Sequence, residues 1–480
     1  MQECSPLGAK LRALRRRAAM TQAQLAARLG ISASYLNLIE QDKRPVSAPI
    51  LIKLGEILPL DLKSLSAEND TRVAADLLEA FSDPLFEGAE MVATEVRELA
   101  VRAPSAARAV LTLYQSYRAA RESADTLLLR LNEGDELAGH EPSRLPSEEV
   151  SDLVQHHLNH FPDLEAGATE MWRSGALAGD LYEAMVRWLA DSHGVSVHIG
   201  TVGAMGEVLR WYDPESRRLL LSESLRRGSR NFQLAYQIGL LTQRAIVDGI
   251  ARDARLTSDE SRSLCRAVLG NYFAGALLMP YDRFLDAART ERYDIEVLGN
   301  RFRTSFEQVC HRLTTLRRSG AEGVPFHMVR IDVAGNISKR FSASGLRFPR
   351  FSGACPRWNV FAAFLTPGMF RTQIAQMPDG TTYFWVARTL SRGTGGYHAP
   401  HTVFAMGLGC EIRYARELVY ADGVDLGNRE AVVPVGMTCR LCERTDCEQR
   451  AFPAVQHPMK IDENVRGASF YAPVERPLYV

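Results

Sequence analysis

The stretch Thr21–Glu40, TQAQLAARLGISASYLNLIE, decides the fold of the N-terminal region. Thr21 and Ser32 each precede a run with apolar residues on one helical face, where a hydroxyl caps the free N–H groups of the first turn. Gly30 lies between the two runs, at a point where helices often end in a left-handed conformation that side chains with a Cβ avoid. The sequence therefore predicts one helix from Thr21 to Leu29, a tight turn, and a second helix from Ser32 to Gln41.

The flanking residues predict more short helices and a basic surface. Helical periodicity covers Leu7–Arg17 and Ala48–Leu58, with a short helix after Asp61. Basic residues up to position 66 are Lys10, Arg12, Arg15, Arg16, Arg17, Arg28, Lys43, Arg44, Lys53 and Lys63, against Glu3, Glu40, Asp42, Glu56 and Asp61. This excess of cations favours a polyanionic partner such as the DNA phosphate backbone.

The second helix of a helix-turn-helix lies in the major groove, so its first residues must be short or polar enough to reach base edges. The candidates here are Ser32, Ala33, Ser34, Tyr35 and Asn37. Thr21 and Gln22 open the first helix, where backbone N–H groups and a side-chain amide can bind phosphate, and Lys43 and Arg44 follow the second helix toward the DNA backbone. We therefore expect a double-stranded DNA operator as a partner.

This string resembles the Cro/C1 class of repressor domains, also called the xenobiotic response element class. The residues that carry the resemblance are Thr21–Ala26 and Ile31–Glu40, within a match of about 60 residues. A helical bundle that binds protein instead of DNA is the alternative. The basic excess favours DNA.

The whole chain has the composition of a folded protein. Its 480 residues allow two to four domains, and 46% of them are hydrophobic. Lys plus Arg and Asp plus Glu number 57 each, so net charge indicates no partner. The N-terminus does not resemble a signal peptide and no stretch approaches 18 uninterrupted apolar residues, so we expect a cytoplasmic protein without a membrane partner.

Residues 67–150 are predicted to form a helical linker. A heptad pattern places Val110, Tyr117, Ala124 and Leu131 at one apolar position, and Leu113, Ala120 and Leu127 at the other. Three heptads are at the lower limit for a coiled coil. The pattern is therefore equally consistent with a homodimer seam and with a helix packed within its own domain.

The remaining residues are predicted to be mixed α and β. Val195–Ile199 and Leu209–Leu221 are interpreted as a hairpin, followed by long helices over 231–250 and 260–288; alternating strands such as His327–Ile331 and Tyr383–Ala387 lie beyond 325. The predicted architecture is multidomain: an all-α helix-turn-helix head at 1–66, an all-α linker or dimerisation region at 67–150, an α+β domain at 151–325 and an α+β domain at 326–480.

The segment around Asn231–Leu240, with Asn271–Pro280, resembles the zinc metallopeptidase-like domain of antirepressor-cleaving and radiation-response regulators. That family carries H-E-x-x-H, in which two histidines bind zinc and Glu is the general base. This sequence has Tyr236, Gln237 and Leu240 instead, and residues 261–281 contain no Asp or Glu. His156 and His160 could share a helical face, but without a neighbouring acidic base a solvated face is the better interpretation. We therefore expect no peptidase and no other enzyme.

A former active-site cleft that has lost its charges is a candidate small-molecule pocket. We expect Tyr236 and Tyr272 to line it, Asn271 to offer an amide hydrogen bond, and Arg173 to pair with a phosphate. Each tyrosine could equally be an ordinary core residue.

Four cysteines crowd the C-terminal end. Cys439-x2-Cys442-x4-Cys447, with Cys410 upstream, has the composition of a four-thiolate metal site. Zinc and an iron–sulfur cluster use the same ligands, so spacing does not separate them. Buried structural thiols are the alternative.

The string Met437–Pro453 is similar to that of the short-chain fatty acyl transcriptional regulators, and with the repressor-type N-terminus and the degenerate peptidase-like segment the resemblance spans nearly the whole chain. The resemblance implies control of propionate, acetate or related metabolism and sensing of a short-chain acyl-CoA. It also implies, for some members, a four-iron four-sulfur cluster, here on Cys410, Cys439, Cys442 and Cys447.

Three functions follow as hypotheses. The first is a homodimeric, acyl-CoA-sensing transcription regulator. The second is a regulator that senses metal or redox state through the cysteines. The third is a metal-dependent peptidase acting on a repressor, which the missing H-E-x-x-H disfavours.

Overall fold

The computed structural model describes residues 11–454 except 13, 14, 16, 17, 19, 42, 45, 47–49, 51, 52, 55, 56, 58–66, 87–91, 134–144, 347, 350–353, 394–400 and 441. The chain divides into two compact units, one formed mainly by positions up to 142 and the other mainly by positions from 143 onward. Among the described residues, no helix is both long and apolar enough to cross a membrane.

The N-terminal unit begins with the predicted helix-turn-helix. Helices α1 (Gln22–Leu29) and α2 (Ala33–Glu40) start after Thr21 and Ser32, whose side chains accept hydrogen bonds from the backbone N–H groups of Gln24 and Tyr35. Gly30 has a φ of 71° and ends α1. Leu25, Leu29, Leu36 and Ile39 form the core between the helices, with Leu11, Ile50 and Leu54 packed onto it. The predicted helices at Leu7–Arg17 and Ala48–Leu58 lie partly, and the one after Asp61 wholly, outside the described residues.

The linker is helical, as its sequence predicts. It contains α3 (Ala67–Phe81), α4 (Ala93–Arg102) and α5 (Pro104–Glu133), with a 3-10 turn at Pro84–Phe86. Ala107, Leu111 and Tyr114 of α5 are buried against α3 and α4, and Val110 and Tyr117 are packed partly against the same core. Leu113 is 72% exposed. Val110 and Tyr117 of one heptad row therefore pack within the bundle, whereas Leu113 and Ala120 of the other row are exposed. The side chains of Ala124, Leu127 and Leu131 lie outside the described residues.

The second unit opens with α6 (Pro146–His156), α7 (Pro162–Arg173) and α8 (Leu181–His193), followed by β1 (Ser196–Gly200), α9 (Val202–Met205), β2 (Arg210–Asp213) and β3 (Arg218–Ser222). The predicted hairpin between Val195–Ile199 and Leu209–Leu221 is wrong, because the strands pair differently. β2 and β3 form the antiparallel hairpin, and β1 pairs in parallel with β3. Because α9 interrupts the chain after β1, β1 cannot turn directly back along β2.

The predicted long helices are each divided. The first becomes α10 (Arg227–Thr242) and α11 (Arg244–Ala251), and the second becomes α12 (Asp259–Leu278) and α13 (Tyr281–Thr290). Pro280 precedes α13 and lacks the N–H that a continuous helix would use. Helices α14 (Ile295–Phe302) and α15 (Phe306–Thr314) follow.

A six-stranded sheet completes the unit, in the order β5-β4-β8-β7-β6-β9. Its strands are β4 (His327–Asp332), β5 (Ile337–Ser342), β6 (Arg371–Gln376), β7 (Thr382–Arg392), β8 (Thr402–Glu411) and β9 (Val432–Pro434), with a short helix α16 (Asn359–Ala362) before β6. The strands predicted at His327–Ile331 and Tyr383–Ala387 are confirmed.

Two predicted domain boundaries do not coincide with packing boundaries. Val150 and Leu153 of α6 belong to the core of the second unit, so that unit begins before residue 150. Helices α13–α15 share a core with β4, β7 and β8, while α10 and α12 belong to a different core. The core therefore changes at Met279, not at residue 325, because the helices before β4 cover one face of the sheet.

Candidate functional site

The predicted base-reading residues lie on one open face of the helix-turn-helix. Ser32, Ala33, Ser34 and Asn37 are exposed at the N-terminal half of α2. Tyr35 is half-buried, and the guanidinium carbon of Arg44 lies 5.7 Å from its ring centre. Ser32, Ala33, Ser34 and Asn37 are therefore accessible to a DNA groove, which is what a recognition helix requires.

A polar network that the sequence analysis did not predict connects the two helices. Glu40 is buried at the end of α2 and accepts hydrogen bonds from Arg15 at 2.6 and 3.0 Å. Its bond to the guanidinium raises the pKa of Arg15. The side-chain amide of Gln22 donates to Asn37 Oδ1 at 3.2 Å and to Glu40 Oε2 at 3.1 Å. Both amide N–H groups of Gln22 are thus engaged within the protein, so its predicted phosphate contact is left to the backbone N–H.

Helix α10 carries Tyr236 and Gln237, which stand in place of the first two residues of H-E-x-x-H, and both contact a cation. The guanidinium carbon of Arg210, on β2, lies 4.3 Å from the ring centre of Tyr236. Arg210 Nη1 donates to Gln237 Oε1 at 2.5 Å. Burial lowers the pKa of Arg210 and raises that of Tyr236. A half-buried cation beside a neutral aromatic ring can bind an anionic group that carries an apolar attachment.

Close packing against α12 sets the position of the Tyr236 ring. A Cβ atom at Gly270 would lie 2.7 Å from Tyr236 Cε2, inside van der Waals contact. Only glycine therefore allows the ring to occupy this place without displacement. This is the physical reason for a glycine at a buried position of α12.

Tyr272 does not join Tyr236, contrary to the prediction of one cleft between them. Its hydroxyl donates to Glu165 Oε1 at 2.6 Å and accepts from the N–H of Phe161 at 3.2 Å, within the core. Two residues correspond to about 200° around a helix, so Gly270 and Tyr272 point to different sides of α12. Glu165 is also paired with buried Arg312 at 2.5 and 2.9 Å. Tyr272 is therefore part of a buried ion-pair network.

The other two predicted pocket residues are on the surface. Arg173 is exposed and bonded to Glu170 at 2.9 Å, three residues before it. Asn271 is exposed on α12. Arg210 is the arginine that accompanies Tyr236, and sequence reasoning missed it because 26 residues separate the two along the chain.

The cysteines do not assemble as predicted. Cys410 is fully buried in β8, in the core between the sheet and the helices, where burial and the nearby Glu417 and Glu411 raise the pKa of its thiol. Cys355 was not predicted, yet it interacts electrostatically with Cys439 and Cys442. Its pKa is raised by burial and by these two thiols. Among the cysteines outside the C-terminal group, Cys355 is therefore the one that interacts with Cys439 and Cys442.

The loop that carries the C-terminal cysteines is held by main-chain contacts. The N–H of Cys355 donates to the carbonyl of Met437 at 3.0 Å, and a Cβ atom at Gly436 would lie 2.9 Å from Cys442 Sγ. Buried Arg450 donates to the carbonyls of Cys439 and Cys442 at 2.7 and 2.8 Å. The N–H of Ala451 donates to Cys439 Sγ at 3.5 Å. Within the part of the chain that the structure describes, no three His, Cys, Asp or Glu side chains converge in a metal-binding arrangement.

Three family profiles match successive parts of the chain. A helix-turn-helix domain matches residues 6–64, and the IrrE N-terminal-like domain of a peptidase family matches residues 190–314. The profile described as short-chain fatty acyl coenzyme A regulator, C-terminal, matches residues 315–471.

Full-length relatives are transcription regulators. The HTH-type transcriptional regulator PrpR of Mycobacterium tuberculosis is 40% identical over 98% of this chain and 96% of its own. The propionyl-CoA carboxylase regulator of Cereibacter sphaeroides is 40% identical over 98% of both chains. The HTH-type transcriptional regulator RamB of M. tuberculosis is 39% identical over 97% of this chain and 98% of its own. A solved M. tuberculosis transcriptional regulator superposes with a TM-score of 0.65 at 42% identity, covering 68% of this chain and 98% of its own.

Proposed function

The chain belongs to the family of short-chain fatty acyl coenzyme A regulators with an N-terminal helix-turn-helix, and from this premise we propose that it is a cytoplasmic, homodimeric regulator of short-chain acyl metabolism that senses an acyl-CoA. The names of the relatives support propionate or a closely related acid as the metabolic signal. The observation that carries the sensing proposal is the contact of Arg210 with Tyr236 in the former peptidase site.

Arg210 and Tyr236 supply the two kinds of interaction that an acyl-CoA needs. The guanidinium of Arg210 offers charge-assisted hydrogen bonds to phosphate oxygens. The Tyr236 ring provides neutral, apolar surface for the pantetheine or the short acyl chain. Gln237 holds the guanidinium in place at 2.5 Å. Arg173, paired on the surface with Glu170, is the less suitable phosphate ligand.

Hydrolysis has no support among the residues of α10. The positions of the two histidines and the glutamate in H-E-x-x-H are held by Tyr236, Leu240 and Gln237, and none of these can bind zinc through imidazole or act as a carboxylate base. We therefore propose a regulator without peptidase activity.

An acyl-CoA can affect DNA binding only if its affinity differs between two states of the protein. An acyl-CoA changes operator occupancy only to the extent that it binds DNA-competent and DNA-incompetent states differently. A tenfold response needs a difference of about 1.4 kcal/mol. We expect two helix-turn-helix heads in a homodimer to give this response cooperatively.

The thiols support a resident metal centre on a revised set of ligands. We propose that Cys355, Cys439, Cys442 and Cys447 hold zinc or a four-iron four-sulfur cluster, with Cys355 in place of Cys410. Support comes from the Cys355 thiol, which interacts with Cys439 and Cys442, and from the N–H that approaches Cys439 Sγ. Cys447 is included on its sequence spacing, so metal binding would have to draw the four thiols together. When bound, such a centre supplies a cross-link that is sensitive to oxidants. Arg450 orders the cysteine loop through its carbonyl contacts.

A metal- or redox-responsive regulator is the second candidate, and the adjacency of these thiols favours it. In that case the state of the centre, and not an acyl-CoA, would determine operator affinity. Oxidation or metal removal would then alter DNA binding in the absence of any acyl-CoA.

Calorimetry on intact, anaerobically purified protein tests the proposal. Propionyl-CoA or a close relative is expected to bind saturably and to change operator affinity, whereas free CoA and propionate leave operator affinity unchanged. Arg210→Gln should weaken acyl-CoA binding by about tenfold or more, since a charge-assisted hydrogen bond contributes about 1.5–3 kcal/mol. Arg173→Gln is the matched control. Absence of saturable binding by every short-chain acyl-CoA would contradict sensing and favour the redox alternative.

A further inference from the structure

A cluster of cations surrounds one carboxylate on the sheet of the second unit. Glu307 of α15 accepts from Arg330 Nη1 at 2.7 Å and from Lys339 Nζ at 3.1 Å through one oxygen, and from Arg392 through the other. The three cations stand on β4, β5 and the end of β7. Three positive charges thus face one negative charge, an excess of two.

Neighbouring groups do not remove this excess. His311 Nε2 lies 3.3 Å from Lys339 Nζ, and because an ammonium can only donate, the ring nitrogen accepts and His311 is neutral there. Burial, Arg330 and Arg392 lower the pKa of Lys339, and Glu307 raises it only in part, so a further anion beside Lys339 would favour its charged form. Asp332 at the end of β4 is engaged by Asn336.

One side of the cluster is buried and the other side is exposed to solvent. The side chains of Arg330 and Glu307 are 10% and 12% exposed, whereas those of Lys339 and Arg392 are 39% and 53% exposed. The Phe404 ring lies under Arg330 and Arg392, at 4.6 and 5.7 Å from their guanidinium carbons. Among the described residues, the Nε and Nη1 groups of Arg392 have no hydrogen-bond acceptor. The exposed side, formed by Lys339 and Arg392, therefore presents free hydrogen-bond donors and uncompensated positive charge.

We propose that Lys339 and Arg392 form a binding site for the terminal phosphate of a small phosphomonoester or for inorganic phosphate, with Arg330 and Glu307 as its buried support. A phosphomonoester carries about two negative charges near neutral pH, which matches the excess of two. The diester phosphates of DNA carry one each. A guanidinium fork beside an ammonium is a suitable donor set for phosphate oxygens.

Phosphate titrations of the full-length protein test this site. Inorganic phosphate and glycerol 3-phosphate are followed by phosphorus NMR in chloride buffers of matched ionic strength, which separates the free anion from a phosphorylated metabolite. Arg392→Gln and Lys339→Gln should each weaken saturable phosphate binding about tenfold, because each removes a charge-assisted contact. Arg416→Gln, an exposed arginine beyond the opposite end of β8, should leave it unchanged, and Arg392→Lys should retain part of it.

Two outcomes would overturn the proposal. One is no saturable phosphate binding by the wild type across the millimolar range, or equal affinities in Arg392→Gln and Arg416→Gln; the cluster then only anchors α15 to the sheet. The other is that Arg392→Gln weakens operator binding in phosphate-free buffer while free phosphate does not bind. The cluster would then be a DNA contact. Neither outcome depends on acyl-CoA sensing.

Discussion

The guanidinium carbon of Arg210 lies 4.3 Å from the ring centre of Tyr236, on the helix where related peptidases carry their zinc-binding histidines. Arg210, on β2, also donates to Gln237, so two of the three residues that stand in place of H-E-x-x-H contact one cation. This contact is the basis of the proposed acyl-CoA site, because a guanidinium can bind phosphate beside a neutral ring.

Gly270→Ala should weaken acyl-CoA binding, because the new Cβ would lie 2.7 Å from the Tyr236 ring and displace it from Arg210. Calorimetry with propionyl-CoA measures the effect, for which we expect about a tenfold loss from a shift of this size. Gly275→Ala on the same helix is the matched control, since nothing lies within 4 Å of its added Cβ. Equal affinities in both variants would place the ligand elsewhere.

Glu165→Gln should destabilise the second unit by about 3 kcal/mol at pH 7, since Arg312 would remain buried without its carboxylate. Burial opposes ionisation of Glu165, but the charge and hydrogen bonds of Arg312 outweigh burial and lower its pKa. A lowered pKa stabilises the fold above the unfolded carboxyl pKa, and this contribution is lost as pH falls through the folded value. In urea unfolding, the difference in the free energy of unfolding between variant and wild type should therefore become smaller in acid. Glu170→Gln, on the exposed Arg173 pair, should change stability by less than about 1 kcal/mol.

DNA footprints at two salt concentrations should distinguish residues that contact bases from residues that contact phosphates. Ser34→Ala and Asn37→Ala should blur sequence preference, because both side chains are exposed on α2, the helix expected to enter the major groove. Arg44→Ala should weaken binding to all sequences and reduce its salt dependence. An unchanged preferred site after both α2 substitutions would mean that another element reads the bases.

Cys355→Ser should remove metal from anaerobically purified protein, and Cys410→Ser should not. The first thiol interacts with Cys439 and Cys442, whereas the second is enclosed in the core of the sheet. Elemental analysis for iron, zinc and acid-labile sulfide is the measurement. Retention of metal by Cys355→Ser together with its loss from Cys410→Ser would restore the ligand set expected from sequence.

Leu113→Asp should shift the protein toward monomer, because Leu113 is 72% exposed on α5 and Ala120, the next residue of its heptad row, is exposed as well. Light scattering at matched concentrations measures the mass. Thr112→Asp adds the same charge at the adjacent exposed position, outside both heptad rows, and should leave the mass unchanged. Identical masses for both variants would assign the heptads to the bundle alone.

Local chemistry made the helix-turn-helix readable from sequence. Thr21, Ser32 and Gly30 act on hydrogen bonds within four residues of themselves, so their effect does not depend on the rest of the chain. The absence of H-E-x-x-H is equally evident from the sequence, because residue identity alone excludes imidazole ligation of zinc at Tyr236 and Leu240. The family followed from these motifs and from the C-terminal string.

Contacts between distant segments were decided only by the tertiary structure. Arg210 reaches Tyr236 because β2 pairs with β3 beside α10. The N–H of Cys355 bonds to Met437 near the C-terminal cysteines, whereas β8 carries Cys410 into the core. Tyr272 was assigned to the wrong side of α12 because periodicity identifies a buried face without naming its neighbour. Residue types thus determined what chemistry the chain can offer, and packing determined which of those groups meet.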